Sequence, residues 1–163
     1  MKNVDFSKIS FILMDLDGVL TDGSIIYGNN GEILKVFSVY DGYGINRGRK
    51  LGLKFGIISG RKAKAVKHRA ERLKIDELYQ NCDNKIKAYN KIKKKYKLSD
   101  ENFCFVGDEM VDLELLKITA FSCAPANAIP EIKEIAHFVT KTEGGKGAVR
   151  EVIDLILKKK GLI

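Results

Sequence analysis

Long apolar runs are missing from this sequence, and with them the ~20 consecutive apolar residues that a membrane-spanning helix needs. Met1 to Ser10 mixes Lys2, Asp5 and Lys8 with apolar residues. That segment lacks the apolar core and small-residue cleavage site of a secretory signal. A soluble cytoplasmic protein without membrane contact is expected. Cysteine is scarce: Cys82, Cys104 and Cys123 are odd in number and form no CxxC spacing. This argues against a disulfide framework and a structural zinc site. Cys104, within Phe103-Cys104-Phe105-Val106, reads as a small buried residue. Internal repeats, low-complexity stretches and linkers are also lacking.

What remains is ordinary globular material. The 163 residues are 45% hydrophobic and 31% charged, enough for one domain spanning 1–163 with a real core. The formal net charge is +8, concentrated in Lys91 to Lys97 and in Lys158 to Lys160. Such an excess suits nucleic acid or small anionic substrates. Neither run accompanies a nucleic-acid motif, so two solvated helix ends are the preferred reading and no nucleic-acid partner is expected.

Strand and helix signals alternate, which predicts an α/β domain with a largely parallel, buried sheet. Short apolar runs at 11–14, 55–58, 103–106, 120–123 and 137–139 suit strands covered on both faces. Arg61 to Leu73 carries an apolar stripe of helical period through Ala63, Val66, Ala70 and Leu73. Further helices are predicted over 83–96, with Asp83 as a possible cap, over 111–118 and over 148–159, and Pro130 opens a short one. Two apolar stretches flank Gly28-Asn29-Asn30-Gly31, which predicts a β-hairpin flap at about 24–37. It follows the first strand at once and so stands near the carboxyl edge of the sheet, where open α/β sheets bind ligands.

The chemistry concentrates in Asp15-Leu16-Asp17-Gly18-Val19-Leu20-Thr21-Asp22. Two carboxylates two residues apart leave a buried strand end, and extended chain puts both on one face. Burying like charges so close is unfavourable unless a cation neutralises them. Mg²⁺ takes one or two carboxylates and keeps positions for water and phosphate oxygens. An EF-hand loop fails here for want of acidic and glycine positions at Val19 and Leu20 and of a preceding helix. A lone DxD is weak, but Phe103 to Asp112 repeats the design of strand, glycine and acids. Asp108 then completes the metal site. Asp112, four residues on, either orients a neighbour or is a helix-start acid favoured by the dipole. The strand at 55–58 ends in Ser59-Gly60-Arg61 before a helix, a natural phosphate seat, although Ser59 equally fits a simple cap. Lys85 heads the next helix within reach of the same place.

These four segments, in this order from Asp15 to Asp112, resemble the four motifs of the haloacid-dehalogenase superfamily. The resemblance implies a Rossmann-like sheet with helices on both faces and the motifs at its carboxyl edge. It implies Asp15 as the nucleophile that forms an aspartyl-phosphate, and Asp17 as general acid and then base. It also implies Ser59 and Lys85 on the transferring phosphoryl group. Mg²⁺ is then held by Asp15, Asp108 and the main-chain carbonyl of Asp17. Carboxylate attack divides hydrolysis into two easier displacements. A dehalogenase needs no second aspartate, so Asp17 argues for phosphoryl transfer.

Finer details resemble the 3-deoxy-D-manno-octulosonate 8-phosphate phosphatases. Asp17 to Gly23, Asp41-Gly42-Tyr43-Gly44-Ile45, Ser59-Gly60-Arg61 with Arg69, and Gly144 to Glu151 carry that likeness. It implies a phosphorylated sugar acid as substrate, lipopolysaccharide biosynthesis as pathway, no large cap domain, and a homotetramer whose hairpin and neighbouring subunit close the site. Gly60, Arg61 and Arg69 become substrate-binding candidates, since guanidinium suits carboxylate contacts. Surface helix charge is the plainer reading of both arginines. A sister activity on nine-carbon sugar-acid 9-phosphates shares the hydrolytic core. Two departures stand out. Glu109 occupies the place of a second aspartate, and the chain stops at Ile163 where many relatives carry a longer tail. Gly144 to Gly147 lacks the GxxxxGK spacing of a phosphate loop and reads as a flexible approach to the last helix.

Overall fold

The computed structural model describes residues 4–31 and 33–163. Met1 to Asn3, including Lys2 of the N-terminal reading, and Glu32 of the hairpin lie outside them. Eight strands and six α-helices follow in the order β1 Phe11–Met14, β2 Ile26–Tyr27, β3 Ile33–Leu34, α1 Val39–Lys50, β4 Lys54–Ile58, α2 Lys64–Leu73 and β5 Glu77–Tyr79, then α3 Lys85–Tyr96, β6 Phe103–Val106, α4 Leu113–Ile118, β7 Phe121–Ala124, α5 Pro130–Ile135, β8 Phe138–Val139 and α6 Ala148–Lys159.

Six strands form one parallel sheet in the order β5-β4-β1-β6-β7-β8. The continuous apolar runs arise because both faces are covered. Along β1, Ile12 and Met14 pack on the side of α2 and α6, with Val66, Ala70, Val152 and Ile156. Phe11 and Leu13 point the other way, toward Ala88, Tyr89 and Ile92 of α3 and Leu115 and Leu116 of α4. This is the side-chain alternation of a strand acting on a residue run with no polar face.

Two elements were not foreseen. The helix α1 hides behind Gly42, Gly44 and Gly48, poor helix formers that here serve close packing. A Cβ at Gly44 would stand 2.6 Å from Arg150 Cδ, and one at Gly48 would stand 2.8 Å from a ring carbon of Phe55. The strand β5 is only three residues long, and its buried Glu77 breaks the apolar pattern. Glu77 is satisfied by Lys95 and Tyr96, at 2.5 and 2.9 Å.

The hairpin pairs antiparallel through Ile26↔Leu34 and Tyr27↔Ile33, shorter than the span at 24–37. The chain leaves it after Leu34 because Lys35 turns into the domain and Ser38 already caps α1. The cap of α3 is Asn84, whose side chain accepts from Lys87 N, and not Asp83. Lysines 93–95 and 158–159 lie in the last turns of α3 and α6, where cations face the negative end of the dipole.

Candidate active site

The strand order itself builds the site. The central strand β1 lies between β4 and β6, so the loops after all three emerge side by side. Asp15 follows β1, and its N–H donates to Val106 O at 2.9 Å. Ser59 follows β4, and Asp108 stands two residues after β6. Lys85, at the start of α3, and Glu109 complete an open cleft of about 580 Å³, together with Asp17, Gly60 and Arg61.

The turn after Asp17 requires glycine. Gly18 has φ +84°, and a Cβ there would lie 2.0 Å from Asp108 Oδ2. The loop after β1 and the loop after β6 therefore touch through a residue without a side chain. Asn127 donates to Gly18 O at 2.9 Å and accepts from Gly144 N at 2.6 Å, while Gly145 N donates to Val19 O at 3.0 Å. The stretch from Gly144 to Gly147, expected as a flexible approach, instead has main-chain bonds to the underside of this loop. A close backbone approach, not mobility, explains its glycines.

At the centre, Asp15 Oδ1 accepts from Leu16 N at 2.7 Å and lies 3.0 Å from Lys85 Nζ. The same ammonium bonds Asp112 Oδ1 at 2.6 Å. Asp112 Oδ2 accepts from Asp108 N at 3.0 Å, which fixes the β6 loop. Asp112 is wholly buried and does not cap α4 with its side chain. Of the two readings left open for it, the positional one describes the contacts. Its spacing after Asp108 was the available signal.

Three carboxylates, Asp15, Asp108 and Asp112, bring oxygens within 4.8 Å of one another. The one ammonium among them leaves an excess of two negative charges. Burial, with the charge of Asp112, pushes the Asp15 carboxyl up to about 6. Burial, with Asp15 and Asp112, pushes Asp108 up to about 7. Burial also opposes the charge of Lys85, but Asp15 and Asp112 hold its pKa above the ordinary lysine value. Asp108 Oδ1 is buried and bonds no donor among the described residues. An orphaned carboxylate oxygen beside a second carboxylate, with two charges uncompensated, fits a small hard dication.

The remaining candidates divide. Ser59 is buried, and its Oγ accepts from Arg61 N at 3.2 Å, leaving its own proton to donate. It caps no helix, because α2 begins only at Lys64 with Ala63 as cap. A loop over 59–63, not a helix terminus, therefore carries Ser59 and Gly60. Arg61 reaches over Asp17, with Nε 3.8 Å from Oδ2. Arg69, the other substrate-binding candidate, does not line this cleft. Its Nη2 donates to Ser38 O at 2.8 Å and its guanidinium lies over the Phe37 ring, contacts that brace the start of α1, while its buried Nε finds no partner among the described residues. Lys35, not foreseen, ion-pairs with Asp17 Oδ1.

Residues 77–153 match the haloacid dehalogenase-like hydrolase family. The chain is 44% identical over 154 residues to the 3-deoxy-D-manno-octulosonate 8-phosphate phosphatase of Escherichia coli K12, covering 94% of this chain and 82% of that one. The crystal structure of the same phosphatase from Yersinia pestis superimposes with a TM-score of 0.93 at 40% identity, over 96% of this chain and 84% of that one. The Moraxella catarrhalis phosphatase, in complex with a magnesium ion, a phosphate ion and a KDO molecule, gives 0.92 at 34% identity, over 96% and 90%.

Proposed function

Because the chain belongs to the 3-deoxy-D-manno-octulosonate 8-phosphate phosphatases, a branch of the haloacid dehalogenase-like hydrolases, we propose that it hydrolyses that ester to the free sugar acid and phosphate. The observation that carries the reading is the meeting of Asp15, Lys85 and Asp108 in one cleft of a chain so closely related to these enzymes.

Asp15 attacks through Oδ2, the carboxylate oxygen that takes no hydrogen bond from Leu16 N. It bonds to phosphorus as the bond to the sugar oxygen breaks, and Asp17 gives that oxygen a proton. Asp17, now ionised, takes a proton from water, whose oxygen attacks the aspartyl-phosphate and frees Asp15. Lys85 offsets the charge of nucleophile and phosphoryl group, and the Ser59 hydroxyl with the Gly60 backbone orients the phosphoryl oxygens. Magnesium is the cofactor, held by Asp15, Asp108 and the main-chain carbonyl of Asp17. When bound it neutralises phosphate charge that would repel the nucleophile. Asp112 touches no reacting atom and holds Lys85 and the Asp108 loop in register. Arg61, at the mouth, is the contact for the substrate's carboxylate.

One domain carries the whole reaction. No described helix is long and apolar enough to cross a membrane, and a cytoplasmic place in lipopolysaccharide synthesis accords with the substrate. A homotetramer completes the proposal. Ile26, Tyr27, Leu34, Val36, Val39 and Tyr40 expose apolar side chains on the hairpin and early α1, as an interface would.

Phosphate release from the eight-carbon ester and from a nine-carbon sugar-acid 9-phosphate, with and without Mg²⁺, tests this. Faster magnesium-dependent turnover of the eight-carbon ester is expected. A preference for the nine-carbon ester would overturn the substrate assignment.

A further inference from the structure

Lys35 occupies an unusual position for a lysine. It lies just beyond β3, between Leu34 and Val36, which are 54% and 67% exposed, yet only 2% of its own side chain is accessible. Its ammonium pairs with Oδ1 of Asp17, a residue that lines the cleft. Asp17 is its sole ion-pair partner among the described residues. The opposite oxygen of Asp17 faces Arg61 Nε at 3.8 Å, from an arginine whose side chain is 61% exposed. The two contacts differ in weight. A long, exposed pair contributes little, whereas a buried ammonium deprived of its carboxylate is strongly unfavourable.

We infer that Lys35 is a positioning residue that ties the chain just after the hairpin to Asp17 and so aims the Asp17 carboxyl at the leaving oxygen. The inference rests on the phosphatase reading. In the first step Asp15 Oδ2 bonds to phosphorus and the P–O bond breaks with its electron pair on the alcohol oxygen. That oxygen takes the Asp17 proton. The carboxylate left behind faces Lys35, which fixes its place before the transfer and stabilises its charge after it. An ester whose leaving group departs readily as an anion does not need that proton.

Lys35→Met keeps the chain length and removes the charge. Three esters are compared with Mg²⁺: the sugar-acid phosphate, a neutral sugar phosphate and p-nitrophenyl phosphate. The kcat/KM covers only the steps through transfer to Asp15. It should fall roughly 10–100-fold for both alkyl esters and stay within about twofold for the aryl ester. Lys35→Arg, which keeps a cation, should retain most of the alkyl-to-aryl ratio and provides the test should the Met variant fold poorly. Equal loss on all three esters means a scaffolding role and overturns the inference. So does loss on the sugar acid alone, which means direct contact with its carboxylate, and so does no loss, or a ratio in Lys35→Arg as low as in Lys35→Met. Failure of the unaltered enzyme on the sugar-acid ester would sink the substrate reading, while the neutral and aryl esters still decide the role of Lys35.

Discussion

Lys85 holds its ammonium 3.0 Å from Asp15 Oδ1 and 2.6 Å from Asp112 Oδ1, so one buried cation serves both the proposed nucleophile and the residue that orders the Asp108 loop. Removing it leaves three acidic groups facing one another without a counter-charge. Lys85→Met is expected to destabilise the protein by about 3–5 kcal/mol, the usual result of breaking a buried ion pair on one side. Adding Asp112→Asn should recover part of that loss. Thermal unfolding of the single and double variants measures both, and a double variant no more stable than the single one would contradict the coupling.

Asp15→Asn removes the proposed nucleophile but keeps its shape. Turnover should drop below about one-thousandth of the wild-type rate, while the folded structure survives. In metal-free buffer the variant should melt no lower than the wild type, since one crowded carboxylate is gone. Phosphate release and circular dichroism are the measurements.

The acidic cluster predicts a linkage between pH and magnesium. The folded-state values of Asp15 and Asp108, about 6 and about 7, lie above the unfolded carboxylate value of 3.8. The folded chain therefore binds more protons than the unfolded chain between about pH 4 and 7, and these groups lower stability as pH rises through that window. Magnesium binds the ionised forms, so its stabilisation grows over the same range. The Mg²⁺-induced rise in Tm should be larger at pH 8 than at pH 5. Asp108→Asn should raise the metal-free Tm at pH 8 by roughly 2–4 °C per kcal/mol of repulsion relieved and abolish most of the magnesium effect. Equal magnesium shifts at the two pH values would exclude this account.

The two arginines should separate by kinetics and stability. Arg61→Ala, at the exposed mouth, should raise KM for the sugar-acid ester about tenfold without lowering Tm. Arg69→Ala should lower Tm, because it strips a bond from Ser38 O and the contact on Phe37, and should leave KM nearly unchanged. An unchanged Tm in the Arg69 variant would reopen a direct role in binding.

Glu109 accepts from Met110 N at 2.8 Å and is exposed beside the cleft. Glu109→Ala should reduce kcat/KM less than about tenfold with magnesium affinity preserved. Complete loss of magnesium binding, measured by calorimetry, would make Glu109 a direct ligand.

By itself the sequence determined the sheet and the acids. Uninterrupted apolar runs at 11–14 and 103–106, in a chain of alternating strand and helix signals, suit strands covered on both sides, and an acid one or two residues after such a run lies at the sheet's carboxyl edge. Asp15 and Asp108 were legible on that ground, Ser59 from the similar run at 55–58, and Lys85 only as the head of a predicted helix. Tertiary structure alone decided the rest, because those assignments depend on partners distant in the chain. The glycines of α1 look like helix breakers until Arg150 and Phe55 pack where side chains would have been. Arg69 carries the same charge as Arg61 and differs only in having Phe37 and Ser38 beside it. Lys35 resembles any hairpin lysine until the fold buries its ammonium against Asp17. Periodicity records which face of an element avoids water; it carries no information about which buried charge will meet which.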